Sequence, residues 1–468
     1  MKQTVYKVFV VLVLAIAGLN ANAQSGAVSD DTVARLQEEA LNSELAWDLL
    51  ASLTSEVGPR MGGSAGDQAA VEWAVAKMQS LGFDRVWTEP VSFPLWLRNN
   101  ESAALISPVV QDMAVAAIGG SPSTDDGPLE AEIIQFDSLD MLEAASIDSV
   151  QGKIVFLSTR MIKSREGSGY GKAVANRSRG PFVAARKGAS ALLIRSVGTD
   201  SDRLAHTGMM SGSEPGDPVP SAAISNPDAD KLMRVLGRGL PVRVRLDLDV
   251  GFAGEATSYN VIGEFDGSED LKPRFLLGAH LDSWDLGTGA VDDGAGVATV
   301  MAAAKLVADL PVRPRHGTRV VLYANEEQGV YGGKAYAKLH EADLAGHLIG
   351  AESDLGADRV YRFKTRVSPQ SEPVIAQLEL YLAKLGIQRE NTGLASGGAD
   401  VGQMRKLGMP VIDLNQDASR YFDLHHTAND TLDKVNPDHL RQNLAAWVTL
   451  VYVTSSSRLA FGPVEPSS

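Results

Sequence analysis

The residues of this chain best suited to bind a metal ion or move a proton fall in five short stretches: His280-Leu281-Asp282, Asp292-Asp293-Gly294, Glu326-Glu327, Glu352-Ser353-Asp354 and His425-His426. The chain has no cysteine, so a metal site must be built from imidazole and carboxylate, a donor set that suits zinc or manganese. Asp282 follows His280 by two residues and can hydrogen-bond the ring nitrogen that a metal leaves free, which fixes the tautomer and raises ligand basicity. Asp292 lies twelve residues beyond His280 and can offer one oxygen to each of two metals. At the end of a strand, adjacent side chains point in different directions, so one of Glu326 and Glu327 can bind metal while the other faces a water. Metal brings the pKa of water towards ~7, and a carboxylate then accepts the proton, which is the chemistry of hydrolysis. Taken singly, each motif has an ordinary structural reading. Asp-Asp-Gly usually caps a helix, paired glutamates suit a solvated helix start, and a lone histidine is usually a hydrogen-bonded part of the fold. Their combined order and spacing favours a dinuclear hydrolytic site.

The elements that must position these residues are legible too. Short apolar runs at 274–278, 319–323, 348–351 and 410–414 read as strands, each followed by a loop and a helical stretch. This alternation predicts an α/β domain with a mostly parallel central sheet, which places ligands at the carboxyl ends of its strands. The potential ligands follow those strands, so position and chemistry agree. Helical spacing covers 31–53 and 66–81, and the segment 83–93 reads as extended. Asn436 and Pro437 are the cap and first position of a last helix whose apolar face runs over 440–453. Between about 95 and 250 the character changes to short strand candidates, among them 152–157 and 191–194, separated by Gly, Pro, Ser and Asp clusters. This region reads as a β-rich module, with a helix-like stretch at 180–188.

At 468 residues and 44% hydrophobic, the chain is long enough for two to three globular domains. A formal charge of −15 argues against a nucleic-acid partner, which requires a basic face. The short basic patch Arg177-Ser178-Arg179 reads as a solvated loop. Lys2 and Lys7, the apolar run 8–19 and Ala21-Asn22-Ala23 before Gln24 read as a cleavable signal peptide over 1–23, hence a secreted or periplasmic protein. That run is short for a bilayer span and no other stretch approaches one, so no stable membrane insertion is expected. Gly287-Thr288-Gly289-Ala290 lacks the Lys-Ser/Thr of a phosphate loop and is flanked by carboxylates.

Together with Ser396-Gly397-Gly398-Ala399-Asp400-Val401-Gly402 and Gln416-Asp417-Ala418-Ser419-Arg420-Tyr421-Phe422, the five stretches resemble the co-catalytic zinc aminopeptidase and carboxypeptidase family, and within it the carboxypeptidase Q group. The resemblance implies a zinc exopeptidase fold with residues 24–106 and 251–468 in the catalytic domain and 107–250 as an inserted protease-associated-like domain over the cleft. It implies two zinc ions, one held by His280 and Asp354, the other by Glu327 and His426, with Asp292 bridging and Glu326 as general base. It also implies a cis peptide between Asp292 and Asp293. The substrate would be a dipeptide or short peptide; a broad-specificity aminopeptidase is the alternative, glutaminyl cyclase chemistry a smaller one, and a receptor of this architecture without a functional metal site the non-enzymatic one. A homodimer is possible. Many relatives carry tyrosine immediately before the last metal histidine, where it supports the oxyanion. His425 occupies that position and can donate the same hydrogen bond or be a packed neighbour. His206-Thr207-Gly208 is also reminiscent of the family, and His206 could reach the cleft from the insert or be structural.

Overall fold

A computed structural model describes residues 28–124, 127–210 and 214–466. The signal-peptide reading of 1–23 lies outside these residues. Within them, no helix is long and apolar enough to cross a membrane.

One continuous sheet organises the molecule. Its strands are β1 (Arg85–Ser107), β2 (Gln111–Met113), β3 (Val115–Ala117), β4 (Leu129–Phe136), β5 (Ile154–Leu157), β6 (Ala191–Arg195), β7 (Ser221–Ile224), β8 (Arg243–Phe265), β9 (Arg274–His280), β10 (Thr318–Tyr323), β11 (His347–Glu352), β12 (Val360–Arg366), β13 (Gln388–Arg389) and β14 (Val411–Gln416). The order is β13-β12-β14-β11-β9-β10-β8-β4-β5-β6-β7-β3, with β1 paired to β8 and to β2. At the centre, β9 runs parallel to both β10 and β11, and β11 parallel to β14. The carboxyl ends of four strands therefore open on one edge of the sheet. This is the α/β arrangement with helices flanking a mostly parallel sheet that the strand–helix alternation implies.

Helices Ala295–Ala308 and Pro437–Ser455 cover one face and are buried along most of their length. Alanines at 298, 302, 303 and 304 leave the first of them without bulk, so it can lie close to the sheet while Val297, Val300 and Met301 fill the core. The second starts as its sequence implies: the Asn436 side chain accepts from the amides of Asp438 and His439, and Pro437 occupies the first turn. Near the amino end, the helical stretch 31–53 is two helices, Asp30–Asn42 and Leu45–Ser52. Ser43 between them is extended, and its hydroxyl accepts the Leu45 amide at 3.1 Å, so the chain restarts instead of continuing.

The region 107–250 differs from a β-rich module. Strands β4, β5, β6 and β7 are mutually parallel; helix Leu139–Ala144 lies between β4 and β5, helices Tyr170–Ser178 and Gly180–Arg186 between β5 and β6, and Asn226–Leu236 leads from β7 to β8, an α/β layer of its own. Nor is this region separated from the rest by a linker. Strands β1 and β8, each 23 residues long, pair antiparallel along their lengths and carry the sheet from the central strands into β4.

Candidate metal centre

The open edge of the sheet gathers the chemistry-bearing residues. His280 ends β9, Glu326 and Glu327 follow β10, Asp354 follows β11, and His426 follows β14 after the short helix Tyr421–Leu424. Asp292 lies in the turn before Ala295–Ala308, where the Asp292–Asp293 peptide is cis.

Asp292 points one oxygen at each histidine. Its Oδ1 is 3.1 Å from His280 Nε2, and its Oδ2 is 3.4 Å from His426 Nε2. On the first side, Asp354 Oδ1 is 3.5 Å from His280 Nε2; on the second, Glu327 Oε2 is 3.0 Å from His426 Nε2. A tetrahedral zinc with bonds of ~2.0–2.1 Å sets its ligand atoms about 3.3 Å apart, so these separations fit the ion. The charge balance fits as well. Asp282, Asp292, Asp293 and Glu327 are buried around two imidazoles, Asp293 lies close enough to His280 and Asp354 to share a cation with them, and Glu327 Oε1 has no hydrogen-bond partner among the described residues. Buried carboxylates in such excess are the setting a cation stabilises.

The fields these groups exert are mutual. Burial alone would lower the pKa of His280, but the carboxylates of Asp282, Asp292 and Asp354 around it outweigh burial and hold it well above the usual imidazole range. His426 is raised in the same way, against burial, by Glu327 and Asp292. Burial would raise Asp292, yet both histidines hold it well below the usual carboxylate range. Burial pushes Glu326 well above its ordinary value, with Asp354 and Glu327 adding to the shift.

Main-chain and neighbouring side-chain contacts hold these candidate metal-binding residues in place. His280 Nδ1 lies 3.1 Å from the Asp282 carbonyl oxygen and 3.6 Å from its carboxylate, so the main chain, and not the side chain, is the nearer acceptor. The Asp282 carboxylate instead accepts the amides of Glu326 at 2.9 Å and Glu327 at 3.3 Å, which orients the turn carrying both glutamates. Asp430 accepts the amides of Val291 at 2.6 Å and Asp292 at 3.2 Å. His426 has φ of +61°, a strained conformation for a residue with a side chain, and its ring and backbone are both tied down. Its Nδ1 lies 3.2 Å from the Thr207 carbonyl, and the Thr207 amide donates back to the His426 carbonyl at 3.1 Å.

Comparison with known proteins bears directly on this arrangement. The family model described as "Peptidase family M28" matches residues 260–451. Carboxypeptidase Q of Bos taurus is 32% identical to this chain over 410 residues, which cover 88% of this chain and 85% of the bovine protein. The chain belongs to peptidase family M28. It is thus a metallo-exopeptidase. A peptidase M28 precursor from Shewanella amazonensis SB2B superimposes with a TM-score of 0.90 at 49% identity, covering 93% of this chain and 99% of that one. The zinc aminopeptidase from Bacillus subtilis shares the fold, with a TM-score of 0.62 at 19% identity over 88% of this chain and 93% of that one.

Other residues that the motifs pointed to fall less simply in this M28 chain. His425 is buried and stacks on His426 at 4.0 Å between centroids; among the described residues neither of its ring nitrogens has a hydrogen-bond partner, and burial beside His426 holds its pKa well below the usual range. His206 is fully buried, with Nε2 2.5 Å from Asp200 Oδ2 and its ring 6.0 Å from that of His425. Glu352 binds the amides of Ala399, Asp400 and Val401, which explains the Ser396–Gly402 motif as the wrapping of one buried carboxylate. The basic patch reading requires correction: Arg177 is on helix Tyr170–Ser178 and is only 6% exposed. Sequence reasoning missed Tyr421, whose hydroxyl bonds Asp292, and Asp430 and Thr207. Tyr421 and Thr207 lay inside noticed motifs, but nothing local shows which neighbour of a motif reaches the ligand.

Proposed function

We propose that this M28 chain is an exported exopeptidase using two zinc ions to hydrolyse dipeptides or short peptides, with an activity like that of carboxypeptidase Q. The observation that carries the reading is Asp292, with one oxygen directed at each histidine and a separate carboxylate beside each of them. His280 and Asp354 would hold one zinc, His426 and Glu327 the other, and Asp292 both. Zinc so bound supplies Lewis acidity, polarising a peptide carbonyl and bringing water towards neutral pKa. The chain's own groups do the rest. Glu326 accepts the proton of the attacking water and returns it to the leaving amine. His425, neutral in its buried position, presents a ring N–H to the carbonyl oxygen as negative charge builds there. The region 107–250 contributes Thr207 to the site and limits access to it. The apolar run 8–19 and Ala21-Asn22-Ala23 support export.

Protein recovered from the exported fraction with Gln24 at its amino end is expected to bind two zinc ions per chain and to cleave dipeptides. Asp292→Ala is expected to lose affinity for both ions, because the shared ligand goes. One ion at saturation, or two ions undisturbed in Asp292→Ala, would sink the two-metal reading.

A further inference from the structure

His280 and Asp292 are joined by a stretch, 281–289, that forms neither helix nor strand although most of it is buried. Buried main chain of this kind must find partners for its carbonyls outside regular structure. Arg60, in the turn before helix Ala65–Ser80, supplies them from more than 200 positions away. Its Nε donates to the Leu281 carbonyl at 2.5 Å, Nη1 to that of Thr288 at 2.6 Å and Nη2 to that of Gly289 at 2.8 Å. The main chain adds two bonds to the same stretch: the Arg60 amide donates to the Ser283 hydroxyl at 3.2 Å, and the Ser283 amide donates to the Arg60 carbonyl at 3.4 Å.

Arg60 is fully buried, and the guanidinium bonds recorded for it, a fourth at 3.4 Å to the Gly58 carbonyl included, all go to main-chain oxygens. The nearby acids therefore meet it as a field and not as bonded partners. Burial lowers its pKa, and Asp430, Asp282, Asp293 and Asp292 act against that shift. Asp430 holds the same stretch from the other side, its carbonyl accepting the Thr288 amide at 2.9 Å and its carboxylate the amides of Val291 and Asp292. Gly289 leaves room for the guanidinium: with φ of +59°, a Cβ at that residue would stand 2.7 Å from Nη1. None of the bonds from Arg60 involves an atom placed to hold a metal, so they shape the stretch independently of any ion.

We propose that Arg60 is a positioning residue of the metal centre: it clamps both ends of 281–289 and so fixes the shared carboxylate of Asp292 against His280 before metal binds. The inference rests on the two-zinc reading above and goes beyond it. Leu281 lies next to His280 and Gly289 three residues before Asp292, so tying their carbonyls to one rigid plane sets the distance between the two ligands. Only a guanidinium can do this, because its N–H groups diverge in a fixed plane; an ammonium presents three donors from a single atom and cannot span both ends. A site preorganised in this way spends none of its metal affinity on ordering the loop. The positive charge also offsets part of the carboxylate excess, but the clamp is the role assigned.

The test measures zinc affinity by chelator competition on folded wild type, Arg60→Met and Arg60→Lys, with near-ultraviolet circular dichroism to establish the fold. Arg60→Met is expected to weaken both ions by about 10–100-fold, because both share Asp292. Arg60→Lys should stay within about threefold of Arg60→Met, since it keeps the charge and loses the clamp. A lysine variant that binds zinc like wild type would show that charge alone suffices and overturn the proposal. So would an Arg60→Met protein that melts at a lower temperature but binds both ions as tightly as wild type, the result of a merely structural role. Hydrogen exchange on wild type does not depend on the variants folding: the amides of Thr288, Val291 and Asp292 should be protected alike in zinc-free and zinc-loaded protein, and exchange at open-loop rates without zinc would overturn the clamp. One zinc at saturation in wild type would instead remove the two-metal reading, and this inference with it.

Discussion

Glu326 and Glu327 share a turn and a carboxylate, Asp282, that holds both of their amides, yet their side chains part company. Glu327 reaches His426 at 3.0 Å, while Glu326 has no such bond and has its pKa raised by burial and by the acids around it. Such a carboxylate has the basicity to take a proton from water near neutral pH once cations offset the neighbouring charge. Glutamine keeps its shape and removes the proton acceptor. Glu326→Gln is therefore expected to lower turnover by roughly 10²–10⁴-fold with metal content unchanged, read by steady-state kinetics and metal analysis on the same sample. Activity retained within tenfold, about 1.4 kcal/mol in barrier, would place the base elsewhere.

At the scale of elements, two segments make separable statements. The loop 206–208 holds His426 from behind through Thr207, whose hydroxyl in turn bonds the Ala117 carbonyl and Arg98. Gly208→Ala would put a methyl group 2.2 Å from Arg177 Nη1 and 2.8 Å from His426 Nδ1. Zinc affinity on the His426 side is expected to fall by about 10–100-fold, measured by chelator competition, with the His280 side retained. Unchanged affinity at both sites would show that the loop only covers the centre. The second segment is the start of β11, remote from the open edge. His347 Nε2 is 2.8 Å from the Tyr336 hydroxyl and 3.4 Å from Arg319, and its Nδ1 is 3.2 Å from the Asp343 carbonyl, so the neutral ring suits every neighbour. Burial, then Arg319, lowers its pKa from 6.5 to about 4. The unfolded chain takes up this proton as pH falls below about 6.5 while the folded one resists until about 4, so stability present above that window is lost across it, by about 3 kcal/mol. Burial raises Asp67 to about 6, which acts in the opposite sense over part of the same range. Denaturant titrations of wild type against His347→Gln should isolate the difference, the variant losing less stability between pH 6.5 and 4; parallel curves would count against it.

Across the whole molecule, the region 107–250 is anchored to the segment that carries His426. Lys163 pairs with Asp423 at 2.6 Å, Arg165 with Asp417 at 3.0 Å, and the Thr199 amide donates to the Phe422 carbonyl at 3.0 Å. Tethers on both the 159–169 and 199–208 stretches place that region against the segment that carries His426, and on our proposal it narrows access there for a long chain. Cleavage rate is therefore expected to fall steeply with substrate length, with an unfolded protein chain left essentially untrimmed. Following peptide ladders by mass spectrometry checks this, and efficient trimming of the long chain would contradict it.

What the sequence determined by itself was the identity of the chemistry-bearing residues and the sheet that positions them. Strand periodicity and the residue types at strand ends are local properties, and in a parallel sheet the carboxyl ends of neighbouring strands meet, which brings His280, the Glu326-Glu327 pair and Asp354 to one edge; Asp292 and His426, which lie beyond strand ends, were pointed to by the motifs' resemblance to a family. Tertiary structure decided which polar groups face one another across long separations in the chain. Thr207 reaches His426 because β1 and β8 carry the sheet from the central strands into the region 107–250, and Asp282 holds the glutamate turn because β9 and β10 end side by side. The same step turned Arg177 from an apparent surface charge into a buried cation beside His426 that makes no ion pair among the described residues. Burial of a charge depends on what packs over it, and the residues that cover Arg177 come from helices and loops that no local pattern connects.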